Sequence, residues 1–158
     1  MITCRKMTAA DVPKAFEMLA AFLGEDQHYL QSSEAYGDQG IRGLNDALDL
    51  FLEQPELGFV WLAFDDGEIA GVCVISYAIS TSMGAVVAKL DDVSVKRDRR
   101  GKGVGTILIR QLMDQLKKEL VLRIDVAVHM ENPEARRFYE KLGFKPLNEE
   151  RLACVIGR

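Results

Sequence analysis

The spacing of apolar residues changes several times along the chain, and each change marks a predicted element. ITCRKM, residues 2–7, alternates and predicts a short strand. From residue 12 the period lengthens: Val12, Ala15, Phe16, Leu19, Ala20 and Leu23 recur at helical spacing. Thr8, with Asp11 three residues on, forms a short version of a capping box before this helix. Gly24 predicts its end. Residues 25–39, EDQHYLQSSEAYGDQ, are polar and carry no period. Ile41, Leu44, Ala47, Leu48 and Phe51 then predict a second helix over about 41–53, stopped by Pro55 and Gly58.

The next segment reads as β. FVWLAFD and IAGVCVISYAI are apolar runs joined by DDGE, and Asp66-Gly67 between them is a strong hairpin signal. AVVAKLDDVSV follows Gly84 and predicts a third strand ending at Val95. Val104, Ile107, Leu108, Leu112 and Leu116 predict a helix to about Leu120, and VLRIDVAV predicts a strand. Asn132-Pro133 opens a last helix, with Pro133 suited to its first turn, and Gly143 stops it. FKPLN and RLACVI read as two closing strands. The order β-α-α-β-β-β-α-β-α-β-β predicts an α/β or α+β sandwich with a mixed sheet, not a repeating βαβ fold. At 158 residues the chain suits a single domain, 1–158, with one full core.

Composition narrows the function. The formal net charge is -4 and no long basic run occurs, which argues against nucleic acid as a partner. The longest apolar runs fall well short of the roughly 18 residues a membrane span needs. The first residues reach charge at once, so no signal peptide is expected. Cys4, Cys73 and Cys154 are far apart and lack CxxC spacing, which fits reduced thiols in a cytoplasmic protein. With only His28 and His129, no His-rich metal site is expected.

The chemistry gathers at RRGKGVG, residues 99–105, between a predicted strand and a predicted helix. A helix N-terminus carries unpaired N–H groups and partial positive charge. Glycines let a backbone approach an anion closely. Arg99, Arg100 and Lys102 add charge, so the loop reads as a pyrophosphate cradle. No GK[ST] closes it, so it is not a Walker A loop, and its glycine spacing is not that of a dinucleotide fingerprint. A strand-to-helix turn with solvated basic residues would look the same in isolation.

A second motif, ENPEARRFYEKLGFKP, follows about thirty residues on. Together, LDDVSVKRDRRGKGVG and NPEARRFYEKLGF resemble the GNAT superfamily of acyl-CoA-dependent N-acetyltransferases. The pieces stand in that family's order, with a helix and a strand between them. The resemblance implies a mixed, mostly antiparallel sheet of six to seven strands flanked by four helices. It implies that Arg100, Gly101, Lys102, Gly103, Val104, Gly105 and Thr106 bind the pyrophosphate of coenzyme A. Val93 and Val95 would pair with the pantetheine arm as a further strand, and the Val93 N–H would polarise the thioester carbonyl. Asn132 would contact the arm and Phe138 would line its path. Acetyl-CoA is the implied cosubstrate, and a homodimer is implied by the family's habit.

The resemblance also assigns catalytic roles. Tyr139 is the candidate general acid for the departing thiolate. An amine acceptor is protonated at neutral pH and needs a base. Asp91 aligns best with the family's acid at this position, with Asp92 as the fallback. The segment 25–38 holds Glu25, Asp26, Glu34 and Asp38 among His28, Tyr29 and Tyr36, and an acidic wall with aromatics suits a small cationic amine. A protein or peptide amine is the alternative acceptor. The rival readings are a non-catalytic acyl-CoA-binding module and a phosphate-loop enzyme acting on nucleotides.

Overall fold

The computed structural model describes residues 1–25 and 40–157. Its strands are β1 (Ile2–Lys6), β2 (Gly58–Asp65), β3 (Glu68–Ser80), β4 (Ala85–Val95) and β5 (Ile124–Val126). Its helices are α1 (Val12–Glu25), α2 (Ile41–Glu53), α3 (Val104–Lys118) and α4 (Pro133–Lys141). The strands form one sheet in the order β1-β2-β3-β4-β5, antiparallel throughout except for the parallel β4–β5 pair. The fold class read from the sequence is therefore the one observed.

Local chemistry explains the boundaries. Asp11 Oδ2 accepts hydrogen bonds from the Thr8 N–H at 2.8 Å and the Thr8 hydroxyl at 2.9 Å. These bonds hold a single 3₁₀ turn, Ala9–Asp11, before α1 starts at Val12. Asp66 and Gly67 turn the first hairpin with φ of 52° and 81°, the left-handed conformation its two-residue loop demands. Asn132 caps α4, its Oδ1 accepting from the Ala135 N–H at 3.2 Å, and Pro133 occupies the first turn.

The sheet divides the apolar residues into two cores. Phe59, Trp61 and Ala63 of β2 face α3, where Leu108, Ile109 and Leu112 are fully buried. Val60 and Leu62, the alternate residues, face α1 and α2 and meet Leu19 and Leu48. This alternation explains why FVWLAF reads as an unbroken apolar run: both of its faces are covered. The Trp61 indole N–H donates to the Leu108 carbonyl at 3.1 Å, so the buried ring leaves no polar atom stranded.

Three expectations are corrected. The sheet among the described residues has five strands, not six or seven. FKPLN and RLACVI form no strand: residues 145–157 are exposed, with Leu152 89% and Ile156 99% accessible. β5 pairs only with β4, over three positions, and no neighbour offers the tail a ladder. VLRIDVAV is likewise strand only at Ile124–Val126.

Candidate functional site

The site begins with an irregularity in β4. The β3–β4 register runs from Val74 opposite Asp91 to Val72 opposite Ser94, so Asp92 and Val93 together oppose Cys73. This is a β-bulge, and Asp92 supplies its left-handed residue, with φ of 54°. The extra residue flips the alternation. Before the bulge Ala88 and Leu90 face the α3 core, and after it Val93 and Val95 do. Strict alternation in LDDVSV misses this shift, because it assumes period 2 throughout.

Beyond the bulge β4 and β5 part. Their parallel pairing covers only Ala88–Ile124, Lys89–Asp125 and Leu90–Val126. A cavity of about 500 Å³ lies beside the unpaired end of β4, lined by Phe22, Val93, Ser94, Val95, Arg100, Asn132, Glu134, Ala135 and Phe138. Five residues expected from the sequence therefore meet on one wall: Val93, Val95, Arg100, Asn132 and Phe138. Phe22, Ser94, Glu134 and Ala135 were missed. Phe22 had a readable signal, since Ala15, Leu19 and Phe22 fall at helical spacing.

The glycine loop closes one end of this wall. Gly101 and Gly103 hold φ of 76° and 81°, and nothing lies within 4 Å of a Cβ built on either. Gly103 is the N-cap of α3 in the left-handed conformation, so the first turn of α3 opens onto the loop. The Arg100 Nε–H donates to the Val95 carbonyl at 2.9 Å, tying loop to strand. The Phe138 ring edge lies 3.5 Å from the position of a Cβ on Gly105, an ordinary van der Waals distance. Arg99 turns away: it bonds Asp65 at 3.0 Å and lies 3.6 Å from Glu68. Lys102 and Val104 line a separate cavity of about 380 Å³ with Asp65, Asp98 and Arg99. Thr106 lies in the first turn of α3 and lines neither cavity.

The candidate acid and base are not part of the cavity lining. Tyr139 is 9% exposed and packs edge-on against Phe138 and Phe144, with ring centroids 5.1 and 5.3 Å away. Burial, reinforced by Cys73 and Asp91 nearby, pushes its phenol well above the usual tyrosine range. Asp91 is half-buried and pairs with Lys89 at 3.3 Å. Neither Tyr139, Asp91 nor Asp92 lines the 500 Å³ cavity. Among the described residues no group of three or more His, Cys, Asp or Glu gathers as a metal site, and no helix is long and apolar enough to cross a membrane. Of the acidic segment 25–38 expected to wall the acceptor, Glu25 ends α1 and residues 26–38 lie outside the described residues.

Comparison with known proteins places this geometry. A curated relative, an uncharacterized N-acetyltransferase of Methanocaldococcus jannaschii, is 26% identical over 90% of this chain and 60% of its own. The mycothiol acetyltransferase of Beutenbergia cavernae is 28% identical over 73% of this chain and 39% of its own. This chain thus spans less than two thirds of both relatives. A possible acetyltransferase from Clostridium difficile 630 shares the fold, with a TM-score of 0.82 over 100% of this chain and 99% of that one, at 16% identity. The family model described as "Acetyltransferase (GNAT) family" matches residues 20–144, which takes in the end of α1, the bulged strand, the glycine loop and α4. By that match, the chain belongs to the GNAT acetyltransferase family.

Proposed function

We propose that the protein transfers an acetyl group from acetyl-CoA to a primary amine, by direct attack in a ternary complex. The supporting observation is the parting of β4 and β5, which leaves a cavity bounded by strand backbone and ending at a helix-capping glycine loop. An extended, amide-bearing arm suits the unpaired strand, and a pyrophosphate suits the loop. In this reading Arg100, Gly101, Lys102, Gly103, Val104, Gly105 and Thr106 hold the pyrophosphate, and Val93, Val95, Asn132 and Phe138 hold the arm. Acetyl-CoA supplies an acetyl group already activated as a thioester.

The amine nitrogen forms its bond to the acetyl carbon as the carbon–sulfur bond breaks, and the electron pair leaves on sulfur. Asp91, or Asp92 at the bulge, takes the proton that the ammonium must lose. The Val93 N–H stabilises the charge that develops on the carbonyl oxygen. Tyr139, still protonated across the physiological range because its phenol is held above the ordinary value, gives that proton to the leaving sulfur and regains one as the new amide nitrogen sheds its second proton. The acceptor proposed is a small cationic amine or amino compound, on the strength of the acidic residues in 25–38. A homodimer belongs to the same proposal: the exposed apolar Leu152 and Ile156 suit burial against a second copy, and sedimentation tests it.

The deciding experiment is thiol release from acetyl-CoA across a panel of small amines and peptide N-termini. Release with small amines supports the proposal, and release with peptides alone moves the acceptor to that class. The burial of Tyr139 outside the cavity lining favours a second reading, a non-catalytic acyl-CoA-binding module. Tight coenzyme A binding without release on any amine supports that reading instead.

A further inference from the structure

Ser94 is the one buried polar residue among those described, only 8% exposed. It lies opposite Val72 in the ladder, and cross-strand partners share a face. Val72 belongs to the core beneath α1 and α2, so Ser94 faces that side while Val93 and Val95 face α3. Its hydroxyl makes no hydrogen bond to any described residue. Burying a hydroxyl without a partner is unfavourable, and alanine or valine at this point of the strand would avoid the cost. Ser94 also lines the 500 Å³ cavity.

Phe22 lies on the same side. Ala15 and Leu19 of α1 are fully buried in the core on that face, and Phe22 continues their stripe one turn further. There the core ends, and Phe22 packs into neither apolar cluster but lines the cavity. The wall thus offers aromatic and aliphatic surface with one unsatisfied hydroxyl set into it. That hydroxyl follows Val93, whose N–H is the candidate for the thioester carbonyl, and precedes Arg100 at the glycine loop. A ligand lying along β4 presents to this point the stretch between its reactive end and its anionic end. For acyl-CoA that stretch is pantetheine, whose amides both donate and accept.

We propose that Ser94 is a cofactor-positioning residue: its hydroxyl hydrogen-bonds an amide of the pantetheine arm, with Phe22 covering that arm from the α1 side. This rests on the acyl-CoA reading of the cavity and adds a side-chain anchor to the backbone contacts. It makes the arm, and not only the pyrophosphate, a source of affinity.

The test is calorimetric titration of the full chain with coenzyme A, S-acetylpantetheine and adenosine 3′,5′-bisphosphate. Ser94→Ala is expected to weaken coenzyme A and S-acetylpantetheine by the same factor, about threefold to tenfold, the worth of one uncharged hydrogen bond. Adenosine 3′,5′-bisphosphate lacks the arm and is expected to bind the variant and the unchanged protein equally. Ser94→Thr keeps the hydroxyl and is expected to recover most of the loss. Ser94→Cys keeps the shape with a weaker hydrogen bond and is expected to fall between, which keeps the question open to measurement if Ser94→Ala fails to fold. In turnover, the KM for acetyl-CoA is expected to rise while the KM for the amine stays put. Equal coenzyme A binding by Ser94→Ala overturns this inference alone, as does a rise confined to the amine's KM. Failure of the unchanged protein to bind coenzyme A overturns the acyl-CoA reading and this inference with it.

Discussion

The two edges of β4 are built by opposite rules. On its β3 side the ladder runs from Ser80–Ala85 to Gly71–Val95, antiparallel and interrupted once. On its β5 side it is parallel, covers three positions and then stops. One edge joins the sheet on which both cores pack, and the other parts from its neighbour beside a cavity. The single interruption in the long ladder, at Asp92 and Val93, falls where the short ladder has ended. The long ladder and the candidate site thus lie on different edges of one strand, with the bulge where the short ladder has ended.

Variants can separate these roles. The largest effect is expected on the closed side: Leu108→Ala, at a fully buried position, should lower unfolding free energy by about 2–5 kcal/mol. Denaturant titration measures it, and coenzyme A affinity of the folded fraction should stay within about twofold. An equal loss of affinity would mean the edges are not separable. On the open side, Tyr139→Phe should cut kcat by about a hundredfold, the lower end for a lost proton donor, with coenzyme A affinity preserved. An unchanged kcat removes Tyr139 from the chemistry. Gly103→Val places a branched side chain at a φ of 81°, which should cost about 1–2 kcal/mol of stability. It should also weaken coenzyme A by about tenfold, roughly 1.4 kcal/mol. Loss of stability without loss of affinity would make the glycine a turn residue only.

The smallest effect lies on the closed side, where Glu119 beyond α3 joins Tyr77, Gln115 and Lys6. Burial pushes the Glu119 carboxyl up, but the hydrogen bonds from Tyr77, Gln115 and Lys6 outweigh it and hold the group below its usual value. A carboxyl lowered on folding stabilises the fold above its unfolded value, near 4.3, and that contribution fades as pH falls through the folded value. Tyr77→Phe should cost about 1 kcal/mol at neutral pH. The melting-temperature gap between the unchanged protein and Glu119→Gln should narrow from pH 7 to pH 3. A gap independent of pH would show that the carboxylate charge contributes nothing there.

Much of this was legible in order and spacing. The helices, the Asp66-Gly67 hairpin and the cap at Asn132 follow from local preferences that need no distant partner. The two motifs pointed to five residues that now share a wall. The misses have a common cause. FKPLN and RLACVI read as closing strands, yet a strand exists only where a neighbour supplies hydrogen bonds, and among the described residues none pairs with them. Asp91 and Asp92 alternate on paper, but the bulge breaks the period between them. Phe22 and Ser94 look like an ordinary helix aromatic and an ordinary strand serine until the cavity beside them is seen.

The sequence by itself therefore determined which segments are helix and hairpin, and that a glycine loop with basic neighbours opens a helix, because these depend on residues within a few positions of one another. Only the tertiary structure decided where β4 bulges, how soon β5 leaves it and which side chains border the resulting cavity. Those outcomes depend on register between strands far apart in the chain, and register is set by the packing of both sheet faces at once.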